Sequence, residues 1–413
     1  RRSDEATERR RAGPIGRQAA LGGDDGIGEG DRGGGWDGTL AGGELFGTCS
    51  VLCREAGRGV DTMPPMATER WIAPTADRTP DEEVQARALR PERLGDYVGQ
   101  SELVERLRIA IEASRGRDEA MEHVLLHGPP GLGKTTLAHV IAHEMGSALH
   151  ITSGPALTRG TDLVSVLTKL APRDVLFIDE IHRMPAAVEE FIYPAMEDLR
   201  IDVPVDTGVH ARTVTVRIKP FTLIGATTRA GLLSGPLRSR FGITHHLRYY
   251  PSSELELILE RSRRLLSVGT DAESVSMIAG RSRGTPRVAN RLLRRVRDYA
   301  DVRADGSVSK RVVEEALALE GIDGLGLDEL DRSYLRTIGT VYKGGPVGLE
   351  AIAATMGDDS GTLEDVVEPY LLQAGLVART RRGRQLTPAG AKYVGVEVRW
   401  ADGSLLEDVA DEA

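Results

Sequence analysis

Eight consecutive residues, Gly128-Pro129-Pro130-Gly131-Leu132-Gly133-Lys134-Thr135, constrain this chain more than any other feature of its sequence. They complete a phosphate-loop pattern in the setting it requires. An apolar run, His123-Val124-Leu125-Leu126-His127, precedes them and a helical pattern follows. Glycine is needed because the backbone must turn tightly enough for successive N–H groups to face phosphate oxygens. The helix expected to begin near Thr135 adds the positive end of its dipole. In that geometry Gly131 and Gly133 shape the cradle, Lys134 reaches the β- and γ-phosphates, and the Thr135 hydroxyl binds Mg²⁺.

The rest of the segment from about Glu82 to Tyr250 alternates strand-like runs with helical patterns, which predicts a parallel sheet covered on both faces. Asp174 to Ile178 is a second strand and Phe221 to Gly225 a third. Asp179-Glu180 ends the second strand, where an acid can hold Mg²⁺ and an adjacent glutamate can polarise the attacking water. His182 follows closely and reads as a structural or coupling histidine. Thr227-Thr228 ends the third strand, a position that suits a polar residue beside the γ-phosphate. Arg238 and Arg240 lie on a short turn. An arginine there can serve as a finger in a neighbouring site, and spacing alone also allows both to be ordinary surface residues. Ile201, Val203 and Val205, then Val214, Val216 and Ile218, alternate on either side of a turn, which predicts a projecting β-hairpin.

Beyond Tyr250 the pattern becomes helical. Ser253 with Glu256 reads as a capping box, and Leu255, Ile258, Leu259 and Leu266 line one helix face. Gly284-Thr285-Pro286-Arg287 starts a later helix that could fold Arg287 over bound nucleotide. The acidic, Gly-rich stretch from Glu320 to Glu329 reads as a hinge. After it, Leu349, Ile352, Ala353 and Met356 mark one helix. Thr362 with Asp365 is expected to cap the next, whose stripe is Leu363, Val366, Val367, Tyr370 and Leu371. Leu376-Val377 and Gln385-Leu386 flank the basic turn Arg379-Thr380-Arg381-Arg382-Gly383-Arg384, and Thr387-Pro388 begins a further helix. Two helices followed by a basic hairpin form a winged-helix pattern.

The chain thus divides into a Gly- and Arg-rich stretch (1–65), a large ATPase domain (66–250), a small helical lid (251–325), a winged helix (326–400) and an acidic tail (401–413). The first stretch has little periodic apolar pattern, and Met63 and Met66 precede the change to globular composition. It is expected to be disordered, an upstream extension or a misplaced start. Cys49 and Cys53 lie within it and read as two thiols without partner ligands rather than as half a metal site. A net charge of −9 argues against coating nucleic acid by bulk electrostatics, so any such contact needs a local basic patch. No run approaches the ~18 apolar residues of a membrane span, and cytoplasm is the expected compartment.

Several motifs together are more specific than the phosphate loop. They are Leu89-Arg90-Pro91, Tyr97-Val98-Gly99-Gln100, the loop itself, Asp179-Glu180-Ile181-His182-Arg183, Gly225-Ala226-Thr227-Thr228-Arg229-Ala230-Gly231, Gly284-Thr285-Pro286-Arg287 and Gly344-Gly345-Pro346-Val347-Gly348-Leu349. In this order they resemble the RuvB family of AAA+ motors that drive Holliday-junction branch migration, over roughly Glu82 to Gly395. The resemblance implies that Leu89 and Arg90 contact the adenine side of ATP, with Tyr97 and Val98 nearby. It implies that Gly131, Lys134, Thr135 and Thr136 hold phosphates and magnesium, and that Glu197, Asp198 and Leu199 form a further pocket segment. Tyr250 and Arg287 would close the pocket in cis, while Arg240 would act in trans within a homohexameric ring. The hairpin 201–218 would dock RuvA, with RuvC joining in the resolving complex, and Arg379 and Arg384 would touch double-stranded DNA. Two other readings differ in kind: another AAA+ machine such as a clamp-loader subunit, which has no need of the Arg-rich wing, or a DNA-binding regulator switched by nucleotide, which has no need of a full catalytic set.

Overall fold

The computed structural model describes residues 88–204 and 213–398. The first stretch with Cys49 and Cys53, the hairpin residue Val205 and the acidic tail lie outside these residues. The large domain is built on β1 (Val124–His127), β2 (Leu149–Ser153), β3 (Val175–Asp179), β6 (Thr222–Thr227) and β7 (Ile243–His246), while β4 (Arg200–Pro204) and β5 (Thr213–Arg217) form the separate antiparallel hairpin. The five strands pair in parallel in the order β2-β3-β6-β1-β7. Side chains alternate across the sheet. Val124, Leu126, Val175, Phe177, Ile224 and Ala226 enter one core, whereas Leu125, Leu176, Ile178 and Leu223 enter the other. Burial on both faces explains why the central strands read as continuous apolar runs.

The three strands legible in the sequence are the three in the middle. The two edge strands, Leu-His-Ile-Thr-Ser and Ile-Thr-His-His, are more than half polar and carry no such run. The helix Lys134–Met145 packs Leu137, Val140 and Ile141 on the first face, next to helix Ser101–Arg117. That core continues without a break into the lid, through Leu255, Leu259, Ile278, Leu292 and Val296. The lid is therefore joined to the sheet by shared apolar packing.

Two expected caps differ. Helix Ser252–Leu265 begins at Pro251, whose carbonyl accepts from the Glu254 and Leu255 N–H groups. Ser253 therefore lies inside the first turn and caps nothing. Asp359, not Thr362, caps the winged-helix segment, accepting from Thr362 N–H at 2.9 Å. The helix runs Ser360–Thr362, then a π-helical turn Leu363–Val367, then Glu368–Gln373. A third core holds this domain together around Tyr334, Leu335, Ile352, Leu363, Val367, Leu371 and Leu386, and β10 (Val377–Thr380) pairs with β11 (Gly383–Leu386) to form the wing.

The stretch expected to act as a hinge is hydrogen-bonded from both sides in this conformation. Arg283 donates to Gly326 O at 2.8 Å, Arg332 donates to Gly321 O at 2.8 Å and Leu327 O at 3.0 Å, and Tyr370 donates to Leu325 O at 2.6 Å. Arginines from two sides thus hold the lid and winged helix together. No helix among the described residues is long and apolar enough to cross a membrane.

Candidate active site

The strand order places the carboxyl ends of β3, β6 and β1 side by side, so the Asp-Glu pair, the Thr-Thr pair and the phosphate loop converge on one edge. Loop geometry demands its glycines. Gly133 adopts φ +98°, and a Cβ there would come within 2.8 Å of the Tyr97 hydroxyl. Gly131 adopts φ +83° and lies against Arg287 Cβ. Lys134 is buried, and its Nζ donates to Gly128 O at 2.7 Å and Pro129 O at 2.9 Å. Burial lowers its pKa to about 8, against the pull of Glu180 and Asp179 and with a push from Arg287. Thr135 and Thr136 follow in the first helical turn, half-buried.

Asp179 sits at the end of β3, where burial and the neighbouring Glu180 raise its carboxyl above the usual range. Its Oδ1 accepts from the Glu180 N–H at 3.0 Å. Glu180 adopts φ +46° and turns back over β6. Its Oε2 accepts from Thr228 N–H at 3.3 Å and from the Thr228 hydroxyl at 3.1 Å, with His182 Nδ1 also 3.1 Å away. His182 Nδ1 lies 2.8 Å from Thr227 Oγ1, and burial lowers the histidine pKa against the pull of Glu180.

A roof covers the loop. The hydroxyls of Tyr97 and Tyr250 lie 2.9 Å apart, and Tyr250 donates to Leu132 O at 3.4 Å. Leu89 is buried, Val98 half-buried, and the carbonyls of Leu89 and Arg90 accept from Arg261 at 2.7 and 3.1 Å. Sequence reasoning missed Arg261; a lid residue that grips carbonyls 172 residues away leaves no local pattern. Arg287 N–H approaches Gly131 O at 3.4 Å. Between loop and lid opens a cleft lined by Pro129, Pro130, Arg287, Val288 and, from the winged helix, Asp365 and Val366.

Arg240 and the segment Glu197-Asp198-Leu199 gather elsewhere. Arg240 donates to Pro236 O at 2.6 Å and to Glu197 at 3.1 Å, and its guanidinium lies 4.4 Å above the Tyr193 ring centre. Its Nε is buried without a partner. Asp198 pairs with Arg200 at 3.2 Å, and Leu199 packs on the second core. Arg238 is exposed. Within one chain, then, Glu197 joins the finger candidate, while Asp198 and Leu199 have other partners.

The wing arginines have an internal partner. Arg379 and Arg384 do not point freely to solvent; both bind Glu368, a fully buried carboxylate, with Arg384 Nε at 2.8 Å and Arg379 Nε at 2.8 Å. Tyr334 donates to the same carboxylate at 2.6 Å. Arginine partners and the tyrosine hold Glu368 below the usual carboxylate range, although burial acts the other way. Arg381 and Arg382, at the tip, are exposed, as is much of Arg379, whereas Arg384 is half-buried.

A phosphate loop at the edge of a five-stranded parallel sheet, an Asp-Glu strand end, a helical lid and a winged helix together define an AAA+ ATPase of the DNA-motor type. Comparison with known proteins narrows the class. The Holliday junction DNA helicase RuvB P-loop domain profile matches residues 89–247, the RuvB AAA lid profile 250–323 and the RuvB C-terminal winged helix profile 324–395. The chain belongs to the RuvB family, the ATP-driven motors of Holliday junction branch migration. The Holliday junction branch migration complex subunit RuvB of Kosmotoga olearia is 49% identical over 343 residues, covering 83% of this chain and 99% of that protein. The Thermotoga maritima RuvB Holliday junction branch migration motor is 49% identical with a TM-score of 0.68, over 76% of this chain and 100% of its own. A mutant of the same protein gives a TM-score of 0.70 at 49% identity, over 75% and 99%.

Proposed function

We propose that ATP is held between neighbouring subunits of a homohexameric ring and that its hydrolysis draws double-stranded DNA through that ring at Holliday junctions. Gly131, Gly133, Lys134, Thr135 and Thr136 would hold the phosphates, with Thr135 and Asp179 holding Mg²⁺. Leu89, Arg90, Tyr97 and Val98 would face the adenine side, while Tyr250 and Arg287 close the pocket. Glu180 would polarise the attacking water, and Thr228 would stand beside the γ-phosphate. The neighbour would contribute Arg240 with Glu197, Asp198 and Leu199. Magnesium, when bound, neutralises charge on the β- and γ-phosphates. The residues fit this cargo: a Cβ would obstruct the cradle at Gly133, and the buried Lys134 cation rests on loop carbonyls it can leave for phosphate.

One observation carries the reading: Lys134, Asp179, Glu180 and Thr228 come together from three adjacent strand ends. The trans assignment of Arg240 is supported by its separate cluster with Glu197 and by its unpartnered, buried Nε. The division at about residues 250 and 325 is supported by the three profile matches.

RuvA would dock on the hairpin 201–218, with RuvC joining during resolution in the cytoplasm. The hairpin is rooted by the buried Ile201 and Ile218, while Val214 is 50% exposed beyond them. An exposed apolar side chain on a projecting strand suits a protein partner. Wing contacts would fall on phosphates, giving grip without sequence preference. Arg381 and Arg382 would engage first, and Arg379 and Arg384 when phosphate oxygens replace Glu368. Dissociation of a synthetic four-way junction tests the whole. It should require ATP and quicken with RuvA, and Val214→Asp should lose the quickening while keeping basal ATPase. Dissociation without ATP, or none with RuvA present, overturns the reading.

A further inference from the structure

Glu180 does not stand alone at its strand end. Three consecutive residues of the neighbouring strand end close a ring around it. Thr228 donates to its carboxylate from both N–H and hydroxyl, Thr227 Oγ1 lies 2.8 Å from the His182 nitrogen that also faces Glu180, and Arg229 N–H donates to Thr227 Oγ1 at 3.0 Å. Where this three-residue segment sits therefore decides where the Glu180 oxygen is held.

The Arg229 side chain ends on the winged helix. Its Nε donates to Asp365 Oδ1 at 3.1 Å, its terminal nitrogen also reaches Asp365, and the same nitrogen lies 3.4 Å from Glu364. Both acids sit on the π-helical turn Leu363–Val367, and such turns recur at functional sites. Glu364 also faces Arg379 at 3.6 Å and Arg384 at 3.8 Å, the two arginines clamped on Glu368. An unbroken series of charged contacts thus runs from the wing to the catalytic strand end. A second observation places the same turn at the site: Asp365 and Val366 line the cleft opposite Pro129, Pro130 and Gly131.

We propose that Arg229 is a positioning residue for ATP hydrolysis, tying the winged helix to the strand end that holds Glu180, so that turnover depends on where the winged helix sits. The proposal rests on the reading of Glu180 as the water-polarising group. Arg229 touches neither substrate nor reacting atoms; it acts through Thr227 and Thr228. As a half-exposed ion pair it contributes little to stability. Its leverage is geometric, because a misplacement of about 1 Å at a catalytic group can cost on the order of a hundredfold in rate.

The test is steady-state ATPase of the full chain, with ring assembly measured in parallel. Arg229→Ala and Asp365→Ala should each lower kcat by about tenfold, inside that geometric limit, while KM for ATP stays within about twofold. The double variant should be no slower than either single variant, because both cut one contact. Arg229→Lys, and the exchange Arg229→Asp with Asp365→Arg, should recover most of the rate. An assembled Arg229→Ala ring with the parental kcat, or additive losses in the double variant, overturns the proposal, as does a loss confined to thermal stability or assembly. Glu180→Gln, run alongside, separates the two readings. If it hydrolyses ATP at the parental rate, the role of Glu180 falls. If it is inactive while Arg229→Ala is unimpaired, only the present proposal falls.

Discussion

The phosphate-loop edge and the wing are both lined with cations, yet they hold them differently. Around the loop, recognition is built into backbone: glycines at positive φ, a helix N-terminus and three adjacent strand ends set the geometry before any ligand arrives. On the wing, recognition depends on side-chain charge, and two of its arginines already have a buried acid as partner. Arg240 resembles the wing in this respect, since Glu197 and the Tyr193 ring hold it within its own chain. The loop's backbone geometry is set within the single chain, whereas the charged side chains of the wing and of Arg240 are held by internal acids.

Lys134→Ala should break the loop side outright. Removing the cation leaves the β- and γ-phosphates without their clamp, and ATP turnover should vanish in a steady-state assay. Glu180→Gln should keep nucleotide binding and trap an assembled ring with little hydrolysis. Turnover by the alanine variant at the parental rate would refute the contrast from its stronger side.

Arg240 is next in size. As a finger in trans it is worth about 10³–10⁵ in rate, whereas a surface arginine is worth little. Arg240→Ala subunits should bind ATP and assemble yet fail to hydrolyse. Mixing them with Lys134→Ala subunits should restore some activity, because mixed rings contain interfaces with an intact pocket and an intact finger. No recovery at any ratio, with mixed rings shown to form, would return Arg240 to a structural role and make the exposed Arg238 the next candidate.

The same contrast explains what the sequence could disclose. Phosphate loop, Asp-Glu pair and Gly-Thr-Pro-Arg motif are short runs of neighbouring residues at the start or end of one element, so they are legible along the chain. Arg229 on Asp365 and Arg261 on Leu89 join positions 136 and 172 residues apart. No local pattern announces such pairs. Glu368 was hidden for another reason: in a helix stripe an acid reads as a solvated face, and only the fold shows it enclosed by Tyr334, Arg379 and Arg384. The edge strands β2 and β7 were lost because one-sided cover permits polar residues.

Glu368→Gln sharpens the wing side. Neutralising the carboxylate while keeping its shape should release Arg379 and Arg384 towards DNA phosphates. Each added phosphate contact steepens the logarithmic salt dependence of duplex binding by about 0.9. Two released arginines should therefore tighten binding at low salt on the order of tenfold or more and steepen that slope by up to about 1.8. An unchanged slope would mean that Glu368 is structural and that Arg381 and Arg382 alone serve the wing.

A last comparison tests whether even the loop side is fully preset. Lys134 is the one loop element whose contribution is a charge, and burial depresses its pKa to about 8. The cationic form is the one that binds phosphate. Below pH 7 the free protein is almost wholly cationic, and affinity for ATP should be flat with respect to this group. As pH rises through 8 the free protein loses the charge, and binding must then take up a proton. Apparent affinity should therefore fall above pH 8, approaching tenfold per pH unit, the limit for one proton linked to binding. Lys134→Arg supplies the control, since guanidinium stays charged throughout this range. Whatever its absolute affinity, its profile should stay flat where the parent's falls. Equilibrium binding of ATP between pH 6.5 and 9.5 makes the comparison. A parent profile as flat as that of the variant would show that the Lys134 cation persists in the free protein, and the loop would then be preset in charge as well as in backbone.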